Sequence, residues 1–231
     1  MLEIRNLTVD YPGGISALKN ISFTVADGES VAIIGGNGAG KTTLLLAIVG
    51  VAAARSGSVI VDGITLDEKT AGEIRRKVGL VFQNPDDQLF MPLIYDDVAF
   101  GLRNCGLSEE EIAGRIDRLL SELGISHLAQ RSSLRLSGGE KRTAAIASAL
   151  SMEPSILMLD EPTAYLDPRS RRRLLAQLSA FAHTKLIATH DVEFAGKLCG
   201  RAIFLKNGEI AADGGLRELL SDEVFMEDFG L

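Results

Sequence analysis

The chain has 231 residues, 46% of them hydrophobic and 24% charged, and carries a net charge of −7, a composition that suits a globular protein with a sizeable core and excludes a disordered one. The acidic balance argues against a surface built for nucleic acid, and the longest apolar run, residues 44–54, is shorter than the roughly 20 residues a bilayer span needs. Two cysteines, Cys105 and Cys199, and three histidines fall at no metal-ligand spacing, which leaves two packed or surface thiols in a reducing compartment.

Glu3, Arg5 and Asp10 in the opening residues argue against a secretory signal, so membrane work is expected to go through docking. Alternation over residues 2–9 predicts a strand, a Pro12-Gly13-Gly14 turn follows, and residues 21–25 and 30–34 make two further short strands. The run Val31-Ala32-Ile33-Ile34 is continuous and apolar, as in a strand buried on both faces. A glycine-rich turn then opens into a helix over residues 41–49. Further strands are predicted at 58–61, 78–82, 156–159, 185–189 and 202–205. Ser108-Glu109-Glu110-Glu111 is a capping box that opens a helix ending near Gly124. Asp167-Pro168 supplies an N-cap and a first-turn proline for a helix reaching about Phe181.

Strands alternating with helices predict an α/β fold with a largely parallel core sheet, an antiparallel β flank at the N-terminus and a helical subdomain, about 84–151, inserted between two core strands. One domain over 1–231 is expected. The residues Asp222 to Phe229 mix acids with apolar side chains, either as a short docking helix or as a frayed end.

Gly35-Gly36-Asn37-Gly38-Ala39-Gly40-Lys41-Thr42 matches G-x-x-x-x-G-K-[ST] in the required strand, loop and helix context. Its backbone N–H groups and the helix dipole can cradle the phosphates of a nucleotide. Lys41 supplies a point charge, and Thr42 a hydroxyl for Mg²⁺. The dinucleotide pattern G-x-G-x-x-G fails, because its third glycine would fall on Lys41. Ile156-Leu157-Met158-Leu159-Asp160-Glu161 is an apolar strand ending in two carboxylates. At the ligand edge of a parallel sheet, Asp160 can hold the Mg²⁺ shell, and Glu161 can orient or deprotonate the attacking water.

Leu136-Ser137-Gly138-Gly139-Glu140 separates the possible P-loop proteins. It resembles the LSGGQ signature of the ABC ATPases, with Glu140 where glutamine is usual. Locally the same residues also fit a capping box between Ser137 and Glu140. Gln83 after a strand resembles the family's glutamine loop, Ala164-Tyr165-Leu166-Asp167 its D-loop, His190 its switch histidine, and Tyr11 the aromatic that stacks on adenine. The stretch from Val81 to Phe90 is similar to the ATPases of energy-coupling-factor importers. Residues 94–101 lean toward the cobalt and nickel members.

The resemblance implies an ATP-hydrolysing subunit of an ABC importer, for a transition metal or a vitamin, working with ATP and Mg²⁺ as a head-to-tail dimer. The resemblance leaves both a homodimer and a heterodimer open, with the pair seated on integral membrane subunits at the cytoplasmic face. Nucleic acid is not an expected partner, and the cargo is expected to bind elsewhere than on this chain. One chain would contribute Tyr11, the cradle from Gly35 through Thr42 with Thr43, Gln83, Asp160, Glu161 and His190. The opposite chain would contribute Ser137, Gly138 and Gly139. Gln83, Glu161 and His190 would act in hydrolysis, with Thr42, Gln83 and Asp160 toward the metal. Translation or DNA-repair ABC ATPases are the alternative, and a small-molecule P-loop kinase would have no use for residues 136–140. Arg169, Arg171, Arg172 and Arg173 crowd a helix start, either as a solvated face or as a contact with a sister subunit or acidic groups. His127 and His183 are expected to be ordinary surface or turn histidines.

Overall fold

The structure, a computed structural model, describes residues 1–222 and 229. The chain begins with β1 (Leu2–Tyr11), β2 (Ile15–Val25) and β3 (Ser30–Ile34), followed by α1 (Lys41–Ile48). Next come β4 (Ser56–Val61), β5 (Ile64–Thr65), α2 (Ala71–Lys77) and β6 (Val78–Val81). Three helices intervene before the next strand: α3 (Ile94–Asn104), α4 (Glu109–Glu122) and α5 (Gly138–Leu150). The remaining elements are β7 (Ile156–Asp160), α6 (Pro168–Ala180), β8 (Thr184–Thr189), α7 (Val192–Leu198), β9 (Arg201–Lys206), β10 (Glu209–Gly215) and α8 (Leu216–Leu220).

The strands form two sheets. β2-β1-β4-β5 is antiparallel throughout, and β10-β9-β3-β8-β7-β6 is parallel except for its β9–β10 hairpin edge. The expected α/β fold with an antiparallel flank is therefore present. β4, whose sheet the sequence left open, completes that flank beside β1.

Alternation along the central strands explains why they read as unbroken apolar runs. Ala32 and Ile34 of β3, and Leu157 and Leu159 of β7, pack on the side that carries α3 to α7. Val31 and Ile33, with Ile156 and Met158, face the other way, toward α1 and the antiparallel sheet. Successive side chains in a strand point to opposite faces, so a sheet covered on both sides needs apolar residues at every position. Each fully buried Leu or Ile contributes about 1.5–3 kcal/mol relative to exposure.

The predicted caps form. Ser108 Oγ accepts from Glu111 N at 3.3 Å and Glu111 Oε2 accepts from Ser108 N at 3.0 Å. That box starts α4, whose Ile112, Ile116 and Leu120 recur at helical spacing and are buried. Asp167 accepts from Arg169 N and Ser170 N, and Pro168 follows at the first helical position of α6. β5, β10, α2, α7 and α8 were not foreseen. The acidic C-terminal stretch lies largely outside the described residues.

Candidate functional site

In the parallel sheet, Ile34 of β3 pairs with Thr189 of β8, Ala188 with Asp160 of β7, and Leu159 with Val81 of β6. Adjacent strands thus end level, and the residues just past each end gather at one edge. Those residues are the glycine-rich turn, His190, Glu161 and the segment holding Gln83. Open parallel sheets bind ligands at this edge.

The turn needs glycine at two points. A Cβ on Gly35 would stand 2.5 Å from Leu205 O, and one on Gly40 2.8 Å from Ala17 O; Gly40 also has a φ of 106° as it leads into α1. Lys41, the first residue of α1, folds back over the turn. Its Nζ donates to Gly35 O at 2.8 Å and Gly36 O at 3.2 Å. It also lies 3.2 Å from Glu161 Oε1, with both side chains less than a tenth exposed.

Glu161 sits just beyond β7 with a φ of 42°, a left-handed conformation that costs a non-glycine residue about 1–2 kcal/mol. Its Oε2 accepts from Thr189 Oγ1 at 3.0 Å and from His190 N at 3.3 Å, and lies 3.0 Å from His190 Nδ1. Backbone strain of this kind persists where neighbours over-determine it.

Asp160 Oδ2 accepts from Thr42 Oγ1 at 2.7 Å, while its buried Oδ1 has no hydrogen-bond partner. Burial, with Glu161 beside it, raises the Asp160 pKa above the usual carboxylate range. A hydroxyl and an unsatisfied buried carboxylate oxygen are a donor set that fits a hard divalent cation such as Mg²⁺. Tyr11 OH hydrogen-bonds Thr43 Oγ1 at 3.1 Å, and its ring is partly exposed at the rim.

A cleft of about 810 Å³ is lined by Tyr11, the cradle residues Gly36 through Thr43, Gln83, Glu161 and His190, while Gly35 and Asp160 do not line it. Ile15, Ser16, Ala17, Lys19, Asn207 and Gly208 also line it and were missed. A signal existed for the last two. Asn207 and Gly208, with φ of 53° and 80°, form the tight turn between β9 and β10, and Asn-Gly is the strongest short hairpin signal.

The signature residues are not brought to this cleft. Ser137 and Gly138 are exposed at the start of α5, and residues 136–140 do not line it. Here the local capping-box expectation is met. Ser137 N and Ser137 Oγ both donate to Glu140 Oε2, at 2.8 and 2.7 Å. The backbone bond, then the hydroxyl, lower the Glu140 pKa. The departure from glutamine therefore serves the helix start, where an acid also suits the dipole.

Arg142, two residues further into α5, makes contacts that no sequence pattern singled out. Its guanidinium is buried and donates to Phe82 O and Gln83 O, each at 2.6 Å. Gln88 adds a second brace, accepting from Phe82 N at 3.2 Å and donating to Ala145 O at 2.7 Å. Desolvation pulls the Arg142 pKa down to about 10. The only sequence signal was one arginine in a helix otherwise rich in small apolar residues. The two cysteines are an exposed Cys105 and a buried Cys199, whose thiol burial pushes up to about 12.

Comparison with known proteins decides the family. The ABC transporter family model matches residues 18–164. The chain belongs to the ABC transporter family. It is an ATP-binding subunit and an ATPase, and within the family it resembles those of energy-coupling-factor transporters. An energy-coupling factor transporter ATP-binding protein of Methanothermobacter thermautotrophicus is 45% identical over 96% of this chain and 73% of its own length. The structure of cbiO1 from Clostridium perfringens, described as part of the ABC transporter complex cbiONQ, has a TM-score of 0.86. It is 37% identical and covers 98% of this chain and 93% of that one. A dimeric ATP-binding cassette bound to ADP and Pi, in a post-hydrolysis state, matches with a TM-score of 0.84 at 32% identity, over 94% of this chain and 99% of that one.

Proposed function

We propose that the chain, one ABC ATPase domain over 1–231 with a helical subdomain at about 84–151, powers an importer as half of a head-to-tail dimer. The observation that carries this is the split between cleft and signature. Residues 36–43, Gln83, Glu161 and His190 line the cleft, while Ser137 to Gly139 do not line it and Ser137 and Gly138 stand exposed. A second copy or a sister subunit would bring its own signature over the cleft, and ATP would bridge the two.

In this reading Tyr11 stacks on the base, and the backbone of residues 35–43 with Lys41 holds the phosphates. Thr42, Asp160 and Gln83 would hold Mg²⁺, which would neutralise phosphate charge during hydrolysis. Glu161 orients the attacking water and takes up its proton, and His190, bonded to the same carboxylate, reads the γ-phosphate. Products that separate and repel each other would reopen the dimer.

Transmission to membrane subunits is supported by the segment after Gln83. Phe90 and Phe100 are exposed there, edge-to-face with ring centroids 5.1 Å apart, and Arg142 fixes the carbonyl of Gln83 from the signature helix. No helix among the described residues is long and apolar enough to cross a membrane. Attachment at the cytoplasmic face would therefore run through such a docking surface. The similarity to cbiO1 and to energy-coupling-factor proteins favours a transition-metal ion, cobalt or nickel, or a vitamin as cargo. The cargo would be bound by a partner.

Co-purification from detergent-solubilised membranes tests the reading. Stoichiometric hydrophobic subunits, one of them carrying a small cargo, are expected. Recovery with nucleic acid and without membrane subunits would favour the translation or repair alternative instead.

A further inference from the structure

The arginine cluster at the start of α6 is only partly a solvated face. Arg173 donates to Leu123 O and Gly124 O, while Arg171 reaches Asp191 and Glu193. Arg171 Nη2 donates to Asp191 Oδ1 at 2.8 Å. Asp191 Oδ2 accepts from Thr163 Oγ1 at 3.1 Å. One carboxylate, next in sequence to His190, therefore ties down both flanks of the turn that carries Tyr165, which is itself 91% exposed with a φ of 62°.

The same residue reaches Glu161 through Thr189. Asp191 N donates to Thr189 Oγ1 at 3.0 Å, and Thr189 Oγ1 donates to Glu161 Oε2 at 3.0 Å. A hydroxyl has one proton to give. With the Asp191 N–H occupying a lone pair of Thr189, that proton is directed at Glu161. Side-chain placement at a reacting centre is sensitive to such support, because small displacements of a positioned group carry large rate penalties.

We infer that Arg171 and Asp191 form a positioning pair that sets the 189–191 turn, and through Thr189 the orientation of the Glu161 carboxylate. Neither residue lines the cleft. Their effect is on the placement of Glu161, and the inference rests on the proposed role of Glu161. A purely structural role is the contrasting case, since Arg171 also pairs with Glu193 of α7 at 3.3 Å and so clamps two helices together.

ATPase kinetics and nucleotide binding of the full chain separate the two. Arg171→Ala should lower kcat about 10-fold while the ATP dissociation constant stays within about twofold, and Arg171→Lys should recover part of the rate. Glu193→Gln, which weakens the helix clamp and the Lys197 pair but leaves the bond from Arg171 to Asp191, should turn over like wild type. Thr189→Val breaks the route at its other end and should show the same selective loss of kcat, which keeps the test open if Arg171→Ala does not fold. In a Glu161→Gln background, adding Arg171→Ala should cost nothing further, because the route ends on the carboxylate already removed. A wild-type kcat in both Arg171→Ala and Thr189→Val, an equal loss in Glu193→Gln, or a full additional loss on top of Glu161→Gln would overturn the pair's role. Wild-type turnover in Glu161→Gln alone would instead remove the reading of Glu161 on which the inference stands.

Discussion

Lys41 Nζ lies 3.2 Å from Glu161 Oε1, so the ammonium folded over the glycine-rich turn and the carboxylate just beyond β7 neutralise each other inside the fold. A pair this deeply buried is held by its additional hydrogen bonds. Lys41 has the carbonyls of Gly35 and Gly36, and Glu161 has Thr189 and His190. In the proposed function, a phosphate entering the cradle would compete with Glu161 for the ammonium and leave the carboxylate free to turn toward water.

Lys41→Ala should abolish ATP binding at working concentrations, because the cradle loses its formal positive charge. Glu161 retains its bonds from Thr189 and His190, so the fold is expected to survive and the loss to read as binding. Titration with a fluorescent nucleotide measures it; normal affinity would place the phosphate site elsewhere.

Glu161→Gln should leave ATP binding intact and slow hydrolysis by roughly 10²–10⁴, the usual contribution of a positioned base. The variant should also collect as an ATP-bound dimer on a sizing column. His190→Ala should impair turnover more than binding. Wild-type turnover in Glu161→Gln would take that residue out of the mechanism.

Arg142→Met should cost about 2–3 kcal/mol in urea unfolding, with the denaturant slope unchanged, since it strips a charged donor from two carbonyls. Those carbonyls belong to Phe82 and Gln83. Loss of ATPase coupling to the membrane subunits should accompany it. Unchanged stability would mean the guanidinium is not the brace its contacts indicate.

Glu140 gives a pH signature. Its folded pKa lies below the ordinary value of 4.5 because Ser137 bonds the charged form. The contribution to stability is therefore fully present above pH 4.5 and is lost as pH falls through the folded pKa. Glu140→Gln keeps the shape of the box without the titration. The wild-type advantage in thermal midpoint over Glu140→Gln should be constant near neutrality and shrink on acidification below pH 4.5. A gap that widens there would contradict the assigned bonds.

Mixing tests the shared site. Lys41→Ala and Ser137→Arg should each be nearly inactive alone. In a mixed dimer, one interface combines both lesions, and the other combines an intact cradle with an intact signature from the opposite chain. Equal, random mixing makes half of the dimers mixed, so about a quarter of all sites should be whole and activity should return. A tandem-linked dimer with one intact site serves as the control. No recovery despite verified subunit exchange and an active control would place the whole site within one chain.

Local patterns made part of this protein legible in sequence. The cradle at 35–42, the apolar strand ending in Asp160-Glu161, and the boxes at Ser108 and Ser137 depend on residues a few positions apart, so their chemistry is written contiguously. The alternative uses of Ser137 and Glu140 were both visible, and the hydrogen bonds show the capping use directly. Arg142, by contrast, gained its meaning from carbonyls about sixty residues earlier in the chain, and no periodicity in α5 marks such a partner.

By itself the sequence determined that the chain has a phosphate-binding turn, two acids at a strand end, a signature peptide and no membrane-spanning run. Only the tertiary structure decided which of these share a cleft. The level ends of β3, β8, β7 and β6 bring Lys41, His190, Glu161 and Gln83 together, while the same fold leaves Ser137 outside. Strand register and crossover connections fix those distances, and both arise from pairing between segments far apart in the chain, where the order of residues carries no direct record of who meets whom.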